Sequence, residues 1–274
     1  MNSEEKIGGE VERPIRGRVA RFVQETQASG RLTFSTQEVG QTVGIQGRNL
    51  YAALRRQALS GSITRVSRGL FLIVPPEYRS SGAPPVEWWL GDLMAHLGLP
   101  YYLGLLSAAE AHGSSHFALM ETQIVAARWI RPIDIGQIRL RFFQKARVES
   151  TPKEQRSNRW ASLAISSPEA TVLDLLNRRV CGIGRTSMIV SDLMQSFGKR
   201  RLRKALESAD DTPAAQRLGF LLQHLGNEAM AAVVERWLVK QHPRMVDLEP
   251  GDPAEGRTNT RWRVRINARL EQSG

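Results

Sequence analysis

The segment from Phe34 to Val74 constrains the fold of this chain more than any other stretch. Ser35 and Thr36 are both residue types that can cap the start of a helix. Val39 and Val43 lie four residues apart, so they share one face of that helix. Gly44 then ends the helix, because glycine adopts backbone conformations that other residues avoid. The pattern predicts a short helix followed by a tight turn.

A second helix is predicted from Ile45 to Gly61, with Leu50, Ala53 and Leu54 on its buried face. The opposite face combines basic, amide-bearing and small residues, which are Arg48, Asn49, Tyr51, Ala52, Arg55 and Arg56. Arginine can bond guanine and asparagine can bond adenine, so such a face suits a major groove. The same spacing also fits an ordinary solvated helix face.

A two-stranded wing is predicted to follow the second helix, from Ser62 to Val74. The residues at its tip are Arg65, Ser67, Arg68 and Gly69. Arginines at such a tip can reach phosphates or the minor groove. The segment therefore reads as a winged helix-turn-helix that binds DNA, although a winged fold can also serve as a protein–protein module.

Positive charge is concentrated in this part of the chain. From Arg13 to Val74 there are ten arginines against two acids, a net charge of +8, whereas the whole 274-residue chain carries +11. Clustered positive charge is the electrostatic footprint of a module that binds a polyanion. The charge distribution therefore predicts that double-stranded DNA binds the N-terminal module.

Residue usage argues against several other classes of protein. A single cysteine, Cys181, rules out an internal disulfide framework and fits a reducing compartment. The stretch MNSEEKIGGEVERP is polar and acidic, unlike a secretory signal. No apolar run approaches the roughly 20 residues of a membrane span. We therefore expect a cytoplasmic protein with no membrane partner.

Proline and glycine divide the chain into predicted domains. Residues 1–13 read as a disordered tail, and residues 14–76 form the winged helix-turn-helix domain. Prolines and a glycine interrupt both helical and strand periodicity at 77–85, which we expect to be a linker. Residues 86–274 would form a larger domain of mixed α/β structure. The predicted fold class is therefore α+β.

Helical and strand patterns alternate along the larger domain. One helix is predicted from Val86 to Gly98, and a tightly packed one from Pro100 to Gly113. Strand-like patterns follow at 118–127 and 135–144. Arg147 to Asn158 is polar and reads as a loop.

The last part of the chain is predicted to be mostly helical. Pro168 suits the first turn of a helix that follows Ser166 and Ser167. CGIGRT, from Cys181 to Thr186, reads as a plain turn. The alternation in RWRVRINA, residues 261–268, predicts a late strand that returns to the sheet.

Four motifs in a fixed order give the chain a family resemblance. They are PYYLGLLSAAEAHG (Pro100 to Gly113), SSPEATVLDLL (Ser166 to Leu176), QRLGFLLQHLG (Gln216 to Gly226) and WRVRIN (Trp262 to Asn267). Behind a basic winged module, this series resembles the AbiEi family of antitoxins from bacterial type IV toxin–antitoxin systems. The resemblance covers nearly the whole chain after residue 13. It depends on the occurrence of all four motifs in this order, since no single motif is diagnostic.

The resemblance implies a transcriptional repressor that binds repeats in its own promoter through the winged domain. It also implies a C-terminal domain that neutralises a co-expressed nucleotidyltransferase-like toxin of the AbiEii type. In the type IV scheme this need not involve stable contact with the toxin. The tail to Arg13 and the loop from Asp247 to Asn259 have no counterpart in the family pattern.

The sharpest charge cluster of the C-terminal domain is KRRLRK, whose cations are Lys199, Arg200, Arg201, Arg203 and Lys204. Leu202, Ala205 and Leu206 share one helical stripe, so the cations cover the other side. A solvated helix face is one interpretation of this run. A second DNA contact, or a surface used to neutralise the toxin, are the alternatives.

No catalytic constellation, metal site or cofactor motif is apparent in the sequence. His112 and His116 have helical spacing, but zinc needs more ligands than this. His112 reads better as a helix-end histidine near carbonyl groups. Carboxylates do not converge as two-metal chemistry requires. We therefore expect that the protein is not an enzyme and that it binds neither a cofactor nor a metal ion.

The sequence leaves three candidate functions of different classes. The first is a DNA-binding antitoxin that represses its own operon. The second is a winged-helix transcriptional regulator whose C-terminal domain binds an effector or partner, with no toxin. The third, a nucleic-acid-processing enzyme, lacks supporting residues. Since repressors of this kind occupy inverted repeats and no dimerisation helix is evident, we expect a monomer or a dimer formed on DNA.

Overall fold

The computed structural model describes residues 15–114, 119–157 and 162–270. Helices and strands are both well represented there, so the protein is α+β as predicted. The chain divides into two compact units, of which the first runs to Leu93 and includes Ile135–Gln137, and the second contains the remainder from Met94. The predicted tail at 1–13 and His116 lie outside the described residues.

The N-terminal unit combines helices with a small antiparallel sheet. Its elements are α1 (Ile15–Ala28), β1 (Thr33–Ser35), α2 (Thr36–Val43), α3 (Gly47–Leu59), β2 (Ile63–Ser67) and β3 (Leu70–Ile73), followed by 3-10 turns at Pro76–Tyr78 and Val86–Trp88. The strand order is β1-β3-β2. The two helices and the hairpin occur where the sequence pattern predicts them.

Aromatic rings connect the sheet to the helices of this unit. The ring of Phe34 on β1 meets Phe22 of α1 edge to face at 5.3 Å and stacks on Phe71 of β3 at 5.7 Å. Leu50 and Leu54 of α3 are buried in the same core. Burial of such large apolar side chains is the main stabilising term for a small unit.

Residues 77–85, predicted to be a linker, fold within the N-terminal unit. A Cβ atom placed on Gly82 would lie 2.7 Å from the Cα atom of Gly136, so the two backbone segments touch. The compact division falls instead after Leu93, inside α4 (Leu90–Leu97). Local proline and glycine content could not reveal this contact, because the touching segments are far apart in sequence.

The second unit is built on a mixed sheet with the order β6-β7-β5-β4-β9-β8. Its strands are β4 (Tyr101–Leu103), β5 (Thr122–Ala126), β6 (Ile133–Ile135), β7 (Ile138–Gln144), β8 (Lys153–Ser157) and β9 (Ser162–Ser166). β4 runs antiparallel to β5 and parallel to β9, and β5 runs parallel to β7. β8 closes one edge antiparallel to β9.

Two strands of this sheet contradict the sequence-based prediction. The helix predicted from Pro100 begins only at Leu105, as α5 (Leu105–Ala111), because Tyr101–Leu103 forms β4 between two partner strands. The loop predicted at 147–158 contains β8, a polar edge strand. β4 has only three residues and β8 is made of polar residues, so neither shows a clear local pattern, and sheet pairing decides both.

Helices account for most of the remaining second unit. They are α6 (Pro168–Arg178), α7 (Ile183–Leu193), α8 (Lys199–Ala209), α9 (Thr212–His224) and α10 (Glu228–Leu238). Ser167 caps α6, which is buried from Pro168 to Leu176. The predicted turn CGIGRT is wrong in its second half, because α7 already begins at Ile183.

The end of the chain forms a small separate sheet with the order β10-β12-β11. Its strands are β10 (Val246–Asp247), β11 (Arg257–Asn259) and β12 (Val264–Ile266). The prediction that residues 261–268 rejoin the main sheet is therefore wrong. Trp262 is buried against α9 at Gly219, and β12 pairs with β10 and β11 beside it.

Candidate functional site

The start of α2 is held by side chains on either side of it. Ser35 Oγ accepts a hydrogen bond from the Glu38 backbone N–H at 3.0 Å, which forms half of a capping box. Arg31 donates to both carboxylate oxygens of Glu38 at 2.6 and 3.0 Å. This bidentate pair is the main cause that lowers the pKa of Glu38. Gly44, with φ +67°, ends the helix.

α2 and α3 approach each other closely at Gly40. A Cβ atom there would lie 3.1 Å from Cδ2 of Leu50. Beside this contact lies a groove of about 250 Å³, lined by Thr36, Gln37, Gly40, Gln41, Gln46, Gly47, Leu50 and Tyr51. The glutamines of this groove were not among the predicted site residues, although Gln37 and Gln41 have the i, i+4 spacing of one helix face.

The outer face of α3 carries every residue predicted to contact DNA on that helix. The exposed side chains are Arg48, Asn49, Tyr51, Arg55 and Arg56. Leu50, Ala53 and Leu54 lie on the buried face, as predicted. The side chain of Tyr51 is 62% exposed, so a large ring also projects from this surface. The face therefore offers cations, an amide and an aromatic ring to a partner.

The β2–β3 hairpin carries the remaining predicted DNA contacts. Arg65 and Arg68 are exposed and Ser67 is half-buried. The Arg65 Nε–H donates to the Ser67 carbonyl oxygen at 3.2 Å, where the register between β2 and β3 is irregular. Gly69, with φ +78°, completes the turn. The hairpin thus presents basic side chains at its tip.

The basic run on α8 separates into two roles. Arg201 donates Nε–H to Oε1 of Glu169 at 3.0 Å, and this carboxylate is fully buried and also accepts from the Gly198 N–H at 2.7 Å. Arg201 therefore ties α8 to α6. Arg201 itself remains about half exposed, and Lys199, Arg200, Arg203 and Lys204 are exposed as well.

A polar cluster that sequence reasoning missed lies between β4, α6 and the end of β7. Lys145 Nζ donates to Asp174 Oδ1 at 2.8 Å, and the Tyr102 hydroxyl donates to Asp174 Oδ2 at 2.6 Å. Burial, followed by the charge of Asp174, raises the pKa of Tyr102. Because the three residues are distant in sequence and share no motif, no local signal marks them.

His112 lies at the end of α5, as predicted. Its Nε2 atom is 2.7 Å from the Ser166 carbonyl oxygen, and its Nδ1 atom is 3.1 Å from Arg156 Nη2. Throughout residues 15–114, 119–157 and 162–270, no three acidic, histidine or cysteine side chains are grouped as metal ligands. Within the same ranges, none of the helices has the length and apolar character needed to cross a bilayer.

Comparison with solved structures identifies a protein with the same fold. The crystal structure of the RV2827C protein from Mycobacterium tuberculosis is similar with a TM-score of 0.66. The likeness covers 92% of this chain and 91% of that chain, at 17% sequence identity. At this identity the similarity shows the fold alone. No curated protein sequence matches the chain.

The C-terminal part of the chain matches a protein-family model. The model describes the AbiEi antitoxin C-terminal domain, and the match spans residues 102–224. This segment runs from β4 to the end of α9, so it includes the buried helix α6 and the basic helix α8. Residues 102–224 are therefore identified as an AbiEi antitoxin C-terminal domain.

Proposed function

We propose that this antitoxin is a cytoplasmic DNA-binding protein that represses its own operon. The proposed DNA-binding domain is a winged helix-turn-helix at residues 14–76. The observation that carries the proposal is the exposed basic face of α3, which sits beside an arginine-tipped hairpin in the same chain as an AbiEi domain. Clustered cations of this kind suit the phosphate backbone of double-stranded DNA.

In this proposal α3 is the recognition helix. Arg48, Asn49 and Arg55 contact bases in the major groove, where arginine favours guanine and asparagine favours adenine. Tyr51 and Arg56 flank those contacts. The hairpin residues Arg65, Ser67 and Arg68 contact the DNA backbone and fix the register. The protein binds promoter repeats as a monomer or as a dimer that forms on DNA.

Quantitative binding to the promoter upstream of the operon tests this assignment. Arg48→Ala and Arg55→Ala should each weaken specific binding by about 1–3 kcal/mol if the side chains read bases. Arg236→Ala, an exposed arginine on α10, is the matched control and should bind as wild type. Equal affinity of all four proteins for the promoter would remove the recognition role of α3.

We further propose that residues 86–274 neutralise a nucleotidyltransferase-like toxin of the AbiEii type in a type IV system. The match to the AbiEi antitoxin C-terminal domain supports this role. The exposed cations of α8, with Lys199 and Arg203 among them, are the candidate surface. The domain acts without an enzymatic reaction and without stable toxin contact in the type IV scheme.

Co-expression of the full chain with the toxin separates the two activities. The Arg48→Ala/Arg55→Ala protein should still protect cells, because its C-terminal domain is unchanged. Replacement of Lys199, Arg200, Arg203 and Lys204 by alanine should reduce protection while promoter binding persists. If the full-length wild type gives no protection, the second candidate function gains support. That candidate is a regulator whose C-terminal domain binds an effector, and a cavity of about 410 Å³ whose lining includes Lys145 and Asp174 favours it.

A further inference from the structure

A cavity of about 410 Å³ opens in the second unit beside the buried polar cluster. The residues that line it are Gln144, Lys145, Ala146, Asp174, Asn177, Arg178 and Ala209. Small-molecule sites typically have volumes of about 300–1,000 Å³ and a few convergent polar groups. We propose that this cavity binds a small phosphate-bearing ligand.

The floor of the cavity is a charge-paired set of side chains. Lys145 and Asp174 are 12% and 6% exposed and lie 2.8 Å apart. Lys145 Nζ also donates to the Tyr102 hydroxyl at 3.2 Å, while that hydroxyl donates to Asp174. Both carboxylate oxygens therefore accept a hydrogen bond, and the negative charge of Asp174 is compensated.

The hydrogen-bonding capacity that remains in the lining is weighted towards donors. An ammonium group has three N–H donors, and two of those on Lys145 are used by Asp174 and Tyr102. Arg178 donates one N–H to the Gln144 carbonyl oxygen, and a guanidinium group has five. Two cations against one carboxylate leave this lining with a net positive charge. A phosphate group supplies the negative charge and acceptor oxygens that such a lining favours.

The position of the cluster argues for a ligand rather than for stability alone. A buried ion pair contributes little net stability compared with well-packed apolar side chains. Here the pair borders an open cavity, and Arg178 at its rim is exposed to solvent. The positive charge of Arg178 acts on Tyr102 and opposes the rise of its pKa, so the rim and the floor belong to one electrostatic environment.

Calorimetric titration of the full chain with inorganic pyrophosphate, at constant ionic strength, tests the proposal. Saturable binding of one pyrophosphate per chain is expected. Arg178→Gln should raise the Kd by about tenfold or more, the loss expected for a charge-assisted contact. Arg236→Gln is the control, since Arg236 is also an exposed helix arginine bonded to a backbone carbonyl. Its Kd should match that of wild type.

Further variants keep the test decisive. The double variant K145M/D174N removes both charges of the floor together and should also lose binding. If it does not fold, Arg178→Gln still decides, because that side chain is at the surface. Absence of saturable binding would overturn the proposal. Loss of binding in Arg55→Ala but not in Arg178→Gln would also overturn it, by assigning the pyrophosphate to α3.

Discussion

The indole ring of Trp262 lies directly against Gly219 of α9. A Cβ atom on Gly219 would be 2.2 Å from Cζ3 of Trp262, so no larger residue fits without movement. Trp262 Nε1–H donates to Gln223 Oε1 at 2.5 Å, and Gln216 Nε2 donates to the Trp262 carbonyl oxygen at 2.8 Å. Two motifs that are separated in sequence therefore form one packing unit.

Gly219→Ala is expected to destabilise the protein by about 1–3 kcal/mol, because the added methyl group overpacks against a buried ring. Gly184→Ala on α7 is the control, since nothing lies within 4 Å of its Cβ position. That change should be neutral or slightly stabilising. Urea unfolding of both variants measures the difference, and equal midpoints would contradict the packing assignment.

Arg201 and Arg200 are adjacent in sequence but should differ in their effect on stability. Arg201→Ala leaves the buried Glu169 carboxylate without its cation, a loss of about 1–3 kcal/mol in the free energy of unfolding. Arg200→Ala removes an exposed side chain and should change stability by less than about 0.5 kcal/mol. Chemical denaturation provides the measurement. A greater loss in the Arg200 variant would show that the pair is misassigned.

The Arg31–Glu38 pair should make stability depend on pH in the acidic range. The folded-state pKa of Glu38 lies below its unfolded value, mainly because Arg31 donates to the carboxylate. The pair therefore stabilises the fold above the unfolded pKa of about 4.3, and this contribution disappears as the pH falls through the folded pKa. Thermal unfolding of wild type and Glu38→Gln should converge at low pH. A difference in melting temperature between the two proteins that stays constant from pH 3 to pH 7 would argue against this linkage.

Removal of one member of the Lys145–Asp174 pair should be more damaging than removal of both. Lys145→Met leaves a buried carboxylate uncompensated, at a cost of about 3–5 kcal/mol. The double variant K145M/D174N should be markedly less destabilised, because no unpaired charge remains. A double-mutant cycle in urea measures the coupling. Additive effects of the two changes would mean that the side chains do not interact.

The hairpin and α3 should respond differently to salt. Arg65→Ala is expected to weaken binding to all DNA sequences and to reduce the slope of log K against log salt by about 1. Arg48→Ala should act mainly on the specific site. Binding to promoter and unrelated DNA over a range of salt concentrations separates these effects. An unchanged slope for Arg65→Ala would exclude a phosphate contact there.

Elements with strong local signals were predictable from the sequence. Of the two predicted capping residues Ser35 caps α2, and Gly44 at the end of α2 and the buried stripe of α3 occupy the expected positions. Capping and amphipathic spacing act within a few residues, so the local sequence contains them. β4 and β8 were missed, because a strand of three residues and a strand made of polar residues form only when partners lie beside them.

The candidate DNA-contacting face was predictable for the same reason, since one helix and one hairpin carry it. The cavity beside Lys145 was not predictable, because the residues that line it come from β7, α6 and the end of α8. Likewise, the sequence of the run 199–204 gave no sign that Arg201 is the cation that contacts the buried Glu169.

The sequence by itself determined the N-terminal helices and hairpin, the concentration of positive charge there, and the ordered motifs of the AbiEi family. The tertiary structure decided where residues 77–85 belong, which arginine of α8 is structural, and that Lys145, Asp174 and Tyr102 meet. The physical reason is the range of the interactions. Helix caps and apolar periodicity act between neighbours along the chain, whereas strand pairing, buried ion pairs and ring packing join residues that only folding brings together.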